Sequence, residues 1–180
     1  MHSRIFLIGF MGSGKSTIGR KLANEVGYGF VDMDSLISQY SGMTIPGIFS
    51  EHGEALFRKW ERDTLKEIIR QENIVVATGG GAPCHHKNMD VMNSSGLTIY
   101  LRLTPEAIRE RLMRSKTERP LVKGKSDSEL FDFIKELLGQ REQYYLQSKI
   151  VTDGMNLKIN ELAEVIKTFR QQDPPSQHLK

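Results

Sequence analysis

The residues with the clearest chemical meaning are Gly9 to Ser16, which read Gly-x-x-x-x-Gly-Lys-Ser. Glycines let backbone N–H groups approach phosphate oxygens closely, and a helix following this loop turns its positive end toward the same oxygens. Lys15 adds a full charge over the outer phosphates, and the Ser16 hydroxyl is suited to ligate magnesium. The pattern therefore predicts that the phosphates of a nucleotide are bound by Gly12, Ser13, Gly14, Lys15, Ser16 and Thr17.

Two carboxylates, Asp32 and Asp34, follow the apolar pair Phe30-Val31. In a strand this spacing puts both side chains on one side, and the carboxyl ends of parallel strands are where ligands bind. Asp32 is thus a candidate for the magnesium shell, directly or through water. Asp34 is a candidate to orient an acceptor hydroxyl and take its proton. The alternative is that Asp34 only caps the next helix.

Two arginines lie at positions that favour binding of an anion. Glu61 follows Arg58 by one helical turn and is placed to hold its guanidinium. Arg141 falls on the otherwise apolar register 130, 134, 137, 141 and 145, so its charge needs an anionic partner on the buried side. That partner is either a structural carboxylate or the carboxylate of a substrate.

Two further segments fit a phosphate-handling site. Gly79-Gly80-Gly81 follows an apolar run, and three glycines at a strand end permit close approach of a ligand, although a flexible turn is the simpler alternative. The segment 114–126 is rich in Lys and Arg and weakly periodic, which is typical of a mobile cationic lid. Within it, Arg119 is the candidate to reach the transferred phosphoryl group; a solvated loop is the alternative.

The elements that must position these residues alternate between strand and helix patterns. Helical periodicity follows Lys15 up to Gly27, and the segment opening at Ser126 carries a capping box with Glu129. The alternation predicts an α/β fold with a parallel sheet in one domain, 1–170, followed by a disordered tail, 171–180. The predicted strands are 4–9, 29–33, 74–78, 97–102 and 149–152, and the main predicted helices are 54–71, 127–147 and 159–169.

The composition limits the classes of function. The 180 residues suit one domain, and the net charge of +3 comes from interspersed charges, which favours a site for small anions over a nucleic-acid-binding face. The one cysteine, Cys84, excludes an internal disulfide framework and is expected to be a small packed residue. The chain has no apolar run of membrane-spanning length and no signal-peptide pattern. We expect a cytoplasmic monomer that binds no membrane.

With these residues in view, the sequence resembles the shikimate kinases, in the nucleoside-monophosphate-kinase-like branch of P-loop proteins. The resemblance covers about residues 4–170. It is carried by Gly9 to Ser16, Asp32-x-Asp34, Gly53-Glu54-x-x-Phe57-Arg58-x-x-Glu61, Gly79 to Ala82, Thr117-x-Arg119-Pro120-Leu121 and Arg141-x-x-x-Tyr145. Only the first motif is shared across many P-loop families.

The resemblance implies a three-layer fold with a five-stranded parallel sheet in the order 2-3-1-4-5, acceptor-binding helices at about 34–62, and the lid. It implies transfer of the ATP γ-phosphate to the 3-hydroxyl of shikimate with Mg²⁺. Matched position by position, the resemblance implies that Asp34, Arg58, Gly80 and Arg141 bind shikimate. It implies that Lys15 and Arg119 stabilise the phosphates and that Ser16 and Asp32 form the magnesium site. Arg111 lies near the position at which some relatives have an arginine that contacts adenine. The alternatives are a kinase of another hydroxy acid such as gluconate, and an ATPase switch.

Overall fold

The computed structural model describes residues 4–115, 122 and 124–172. Its five strands form one parallel sheet in the order β2-β3-β1-β4-β5, which confirms the predicted fold and strand order. The strands are β1 (Arg4–Ile8), β2 (Gly29–Asp32), β3 (Ile74–Ala77), β4 (Leu97–Arg102) and β5 (Ile150–Asp153). The helices are α1 (Lys15–Val26), α2 (Met33–Ser41), α3 (Ile45–Ile68), α4 (Asn88–Ser95), α5 (Pro105–Arg114), α6 (Asp127–Tyr145) and α7 (Ile159–Gln172).

The three central strands, β3, β1 and β4, are buried on both faces, as expected for parallel strands with apolar sequences, whereas the edge strands β2 and β5 are partly exposed. Along β1 the side chains alternate between two separate cores. Phe6 and Ile8 pack with residues of α3, α4, α5 and α6, whereas Ile5 and Leu7 pack with residues of α1 and α7. These two cores define the three layers, with the sheet in the middle.

The start and end of α1 follow from glycines in the left-handed region. Gly14 precedes the helix with a φ of 92°, and Gly27 follows it with a φ of 71°. Side chains other than glycine rarely adopt these angles, so the two residues fix where the helix begins and ends. The helix therefore starts at Lys15 itself, with its positive end at the phosphate-binding motif.

The region between β2 and β3 holds helices, as the resemblance implied for about 34–62, but their bounds differ from those that periodicity indicated. Strand β2 ends at Asp32, and the chain turns at once into α2 and then α3, whose first turn is capped by the Thr44 side chain accepting from the Gly47 N–H at 3.2 Å. At Gly53, with φ 77° and ψ 172°, α3 is kinked, which explains why periodicity alone indicated a helix only from residue 54. The segment before the kink packs in a small separate cluster built around Ile37, Ile48 and Phe57.

In the second half of the chain, the observed helices agree more closely with those predicted from the sequence. The capping box at Ser126 and Glu129 is present, and Pro105 begins α5 after the cap residue Thr104. Two details differ: Leu138 of α6 is buried whereas Leu137 is only partly buried against the same core, and α7 ends at Gln172 rather than at 169. Residues 116–121 and 123 of the predicted lid, including Arg119, and tail residues 173–180 lie outside the described residues. In the part of the chain that is described, no helix is both long and apolar enough to cross a membrane.

Candidate active site

The phosphate-binding loop connects the end of β1 to α1. Lys15 is buried, and its Nζ donates to the carbonyl oxygens of Gly9 at 2.8 Å and Phe10 at 2.9 Å. The Ser13 N–H donates to the Phe10 carbonyl at 3.1 Å, which closes the turn. A Cβ on Gly9 would lie 2.9 Å from Ser13 Oγ, so the tight path of the loop requires glycine at this position.

The predicted magnesium donors meet at the edge of this loop. Ser16 Oγ donates to Asp32 Oδ2 at 2.5 Å, so a hydroxyl and a carboxylate oxygen converge beside the start of α1. Such hard oxygen atoms are the donors that Mg²⁺ prefers, usually completed by water and substrate phosphates. The pair therefore fits a magnesium ion bound together with a nucleotide.

The two aspartates are arranged differently from the prediction. Asp32 is the cap of α2, because its Oδ1 accepts from the Ser35 N–H at 3.2 Å. Asp34 lies in the first turn of α2 rather than on the strand, so the argument from strand alternation was wrong, and so was the alternative that Asp34 is the cap. Both carboxylates nevertheless line the same cavity, because the strand end and the first helical turn face it together.

A cavity of about 440 Å³ lies next to the phosphate-binding loop, between α2, α3, the glycine loop 79–81 and α6. Its lining includes all four residues predicted to bind the acceptor, namely Asp34, Arg58, Gly80 and Arg141. A larger groove of about 610 Å³ runs along β4, β5 and α6, but none of the predicted site residues line it. The chemistry predicted from the sequence therefore converges on the smaller cavity.

Arg58 is held by two carboxylates from its own helix. Its Nη1 donates to Glu61 Oε2 at 2.6 Å, as predicted, and its Nε and Nη2 donate to Glu54 Oε1 at 3.0 and 2.8 Å. Arg58 and Glu61 are buried, whereas the Glu54 side chain is 58% exposed. Burial raises the pKa of Glu61 to about 7, with the Asp34 charge adding to the rise and the Arg58 charge opposing it. Glu61 thus binds the Arg58 guanidinium on its buried side, and Glu54 binds it on the side that faces solvent.

Arg141 approaches the same cavity from α6. It is 9% exposed, and its guanidinium carbon lies 5.8 Å from the centre of the Phe10 ring. Across the described ranges, no carboxylate forms an ion pair with Arg141, so a structural carboxylate partner is not found there. The buried charge instead faces the cavity, where a ligand carboxylate would be its counterion.

The glycine loop 79–81 is packed so closely that side chains would not fit. A Cβ on Gly79 would lie 2.5 Å from Glu61 Oε1 and 2.8 Å from Asp34 Oδ1, and a Cβ on Gly81 would lie 2.5 Å from Arg58 Nη1. A Cβ on Gly80 would come within 3.2 Å of the Met11 N–H nitrogen. The loop therefore lies between the acceptor side chains and the phosphate-binding loop, which explains the glycine triplet as more than a flexible turn.

Two other predicted residues occupy supporting positions. Arg111 donates from Nη1 to the Ser13 carbonyl at 2.9 Å and from Nη2 to the Gly154 carbonyl at 3.0 Å, which joins the phosphate-binding loop to the end of β5. Cys84 is half-buried beside the larger core, and burial raises the pKa of its thiol to about 11. Cys84 is thus a packed residue, as expected from the sequence, and its thiol is protonated at neutral pH.

Sequence reasoning missed part of the cavity wall. The junction of α2 and α3 contributes five lining residues that carried no recognised motif, namely Met43, Thr44, Ile45, Pro46 and Phe49. The signal for this wall was available in Thr44 and Pro46, because a Thr cap followed by a proline in the first turn is typical of a helix start. The structural role of the Tyr145 hydroxyl was also missed.

Comparison with known proteins agrees with this geometry. A family model described as shikimate kinase matches residues 11–171. A shikimate kinase of Azobacteroides pseudotrichonymphae is 45% identical over 162 residues, covering 89% of this chain and 95% of the relative. The crystal structure of a shikimate kinase from Bacteroides thetaiotaomicron matches with a TM-score of 0.86 at 37% identity, covering 93% of this chain and 98% of the other.

A shikimate kinase from Acinetobacter baumannii, solved in complex with shikimate, matches with a TM-score of 0.84 at 31% identity, over 97% of this chain and 96% of the other. The match to the family spans most of the chain and includes the phosphate-binding loop from Met11 onward, the acceptor cavity and both arginines. The chain therefore belongs to the shikimate kinase family and is an ATP-dependent kinase that phosphorylates shikimate.

Proposed function

We propose that this enzyme transfers the γ-phosphate of ATP to the 3-hydroxyl of shikimate, with Mg²⁺ bound at Ser16 and Asp32. The observation that carries the proposal is the meeting of two buried arginines, a carboxylate and a glycine loop in one cavity that adjoins the phosphate-binding loop. Phosphoryl transfer depends mainly on positioning and on stabilisation of charge, and this arrangement supplies both.

The carboxylate of shikimate is gripped by Arg58 and Arg141. Both side chains are buried and line the cavity, Arg58 from α3 and Arg141 from α6. A guanidinium presents parallel N–H donors that match a carboxylate, and burial strengthens such pairs. Because Glu61 fixes one end of the Arg58 guanidinium, the arginine enters the complex already oriented.

Asp34 acts on the acceptor hydroxyl, either as the base that takes its proton or as a group that orients it. Its Oδ1 lies close to the glycine loop, on the cavity side of α2. The two roles differ in pH dependence, because a general base must be ionised for the step to occur. Asp34→Asn should abolish the acidic limb of the kcat profile if Asp34 is the base, and should lower kcat at all pH values if it only orients.

The phosphate end is served by Lys15, Ser16, Asp32 and Arg119. Lys15 supplies charge to the outer phosphates, and a magnesium ion bound at Ser16 and Asp32 would neutralise charge on the phosphate oxygens. Arg119, which lies outside the described residues, is assigned to the transferred phosphoryl group from its sequence motif. The metal assignment predicts that Asp32→Asn raises the Mg²⁺ concentration needed for half-maximal activity, while the shikimate KM changes little.

The decisive experiment is a coupled assay of ADP release with shikimate, quinate, gluconate and nucleoside monophosphates as separate acceptors. We expect turnover with shikimate and at most slow turnover with the others. ATP hydrolysis without an acceptor at a comparable rate would favour an ATPase switch, and preferred turnover of gluconate would favour the hydroxy-acid alternative. Product analysis by phosphorus NMR identifies which hydroxyl is phosphorylated.

We also propose that the enzyme works as a monomer in the cytoplasm and binds no nucleic acid. The small net charge of +3 argues against a nucleic-acid partner, and a single cysteine suits a reducing compartment. Light scattering coupled to size-exclusion chromatography tests the monomer, and cell fractionation tests the location. A dimer at assay concentrations would contradict the first part.

A further inference from the structure

The Tyr145 hydroxyl connects two walls of the acceptor cavity. Tyr145 lies at the end of α6, one turn after Arg141, and its side chain is completely buried. Its hydroxyl donates to the Gly80 carbonyl at 2.5 Å, so the helix that carries Arg141 is bonded directly to the glycine loop. Tyr145 does not line the cavity itself.

The glycine loop 79–81 is confined between the phosphate-binding loop and Arg58, so its position affects the shape of the acceptor cavity. Toward the nucleotide, a Cβ on Gly80 would meet the Met11 backbone at 3.2 Å; toward the acceptor, a Cβ on Gly81 would meet Arg58 at 2.5 Å. A shift of the loop by a few tenths of an ångström therefore changes the space available to the acceptor. The loop and its flank are held by buried hydrogen bonds from two different helices.

The second of these bonds comes from α4. Asn88 is 1% exposed, and its Nδ2 donates to the Ala82 carbonyl at 2.9 Å, just beyond the loop. The two helices thus hold neighbouring carbonyls, one at Gly80 and one at Ala82. Because an unpaired buried carbonyl is costly, both bonds favour a single loop position.

We propose that Tyr145 is a positioning residue that sets the distance between Arg141 and the glycine loop, and thereby the fit of the acceptor. This inference rests on the proposed acceptor site. The Tyr145 hydroxyl acts through the Gly80 carbonyl and through its contact with the Arg141 side chain, and Tyr145 lies outside the lining of the acceptor cavity. Loss of the hydroxyl should therefore weaken acceptor binding selectively, since the Lys15 side of the phosphate-binding loop keeps its own hydrogen bonds.

The neighbouring tyrosine provides a matched control. Tyr100 packs against Tyr145 with ring centres 5.2 Å apart and is equally buried, but its hydroxyl faces Glu142 Oε1 at 3.4 Å rather than the glycine loop. Tyr145→Phe and Tyr100→Phe each remove one buried hydroxyl from the same aromatic pair. A purely structural role would give the two variants similar kinetics.

The test measures KM for shikimate and for ATP in both variants, with Arg141→Lys as a reference for damage to the acceptor site. We expect Tyr145→Phe to raise the shikimate KM about three- to tenfold while the ATP KM stays within about twofold, and Tyr100→Phe to leave both near the wild-type values. Equal KM ratios in the two tyrosine variants would overturn the inference.

A second variant makes the test independent of how well Tyr145→Phe folds. Asn88→Ala removes the bond to the Ala82 carbonyl and should also raise the shikimate KM without raising the ATP KM. If Arg141→Lys raises the shikimate KM but neither Tyr145→Phe nor Asn88→Ala does, the positioning role is wrong and the proposed acceptor site stands. If Arg141→Lys also leaves the shikimate KM unchanged, the acceptor site itself is wrong.

Discussion

Glu61 makes the stability of this enzyme depend on pH in a direction opposite to that of most carboxylates. Its side chain is 1% exposed, its Oε2 accepts from Arg58, and among the described residues its Oε1 has no hydrogen-bond partner. Burial raises the pKa of Glu61 from 4.5 to about 7 despite the Arg58 charge. In the folded protein the proton is therefore retained at pH values where the unfolded chain has lost it.

The sign and size of the effect follow from this difference. The stabilisation from the retained proton is fully present below about pH 4.5 and is lost as the pH rises toward 7. At about 1.4 kcal/mol for each pH unit, the free energy of unfolding falls by about 3 kcal/mol between about pH 4.5 and about pH 7. For a domain of this size, that corresponds to a drop in Tm of about 6–12 °C.

The variant Glu61→Gln isolates the effect, because glutamine keeps the shape and the acceptor oxygen but does not titrate. Urea unfolding of both proteins is measured from pH 4.5 to 8 by far-ultraviolet circular dichroism. We expect the stability of the wild type to decline relative to that of the variant as the pH rises. Parallel curves for the two proteins would show that Glu61 does not retain its proton in the folded state.

Three further predictions concern activity. Lys15→Met should keep the circular dichroism spectrum but lower kcat by about a hundredfold or more, because its charge acts on phosphates; near-normal turnover would contradict the assignment. Arg141→Ala should raise the shikimate KM about ten- to a hundredfold with little change in the ATP KM, and equal effects on both substrates would indicate a structural role. Arg119→Ala should lower kcat about a hundredfold, with partial recovery in Arg119→Lys; a kcat within about threefold of wild type would favour the solvated loop.

The sequence predicted the fold well where local rules and tertiary contacts agree. The short apolar runs became the five strands because the middle of a parallel sheet is buried on both faces. Gly27 and Ser126 marked a helix end and a helix start through backbone chemistry that needs no long-range partner. Between β2 and β3 helical periodicity missed α2 and the first part of α3, and only the resemblance implied helices there. There the kink at Gly53 breaks the helical period, and the side chains pack into a separate cluster that a single apolar stripe does not reveal.

In the candidate active site, too, some residues could be assigned from the sequence and others could not. Lys15 and Arg58 could be assigned from sequence because their partners lie within one motif or one helical turn. Asp32 could be named as a candidate beside Ser16 because strand ends and the phosphate-binding loop meet at one edge of a parallel sheet. The role of Tyr145 depends on a contact with a distant part of the chain, and no spacing rule encodes it. The Tyr145 bond to Gly80 joins residues 65 positions apart, so only the packing of α6 against the glycine loop brings it about.

The kink at Gly53 has a consequence for how the domain opens. The segment before the kink packs in the small cluster of Ile37, Ile48 and Phe57, whereas the last turns of α3, with Leu65 and Ile68, pack in the larger core. We expect so small a cluster to open at a lower free energy than the whole domain, and amide hydrogen exchange measures that difference. One wall of the acceptor cavity would then exchange its amide hydrogens before the larger core does.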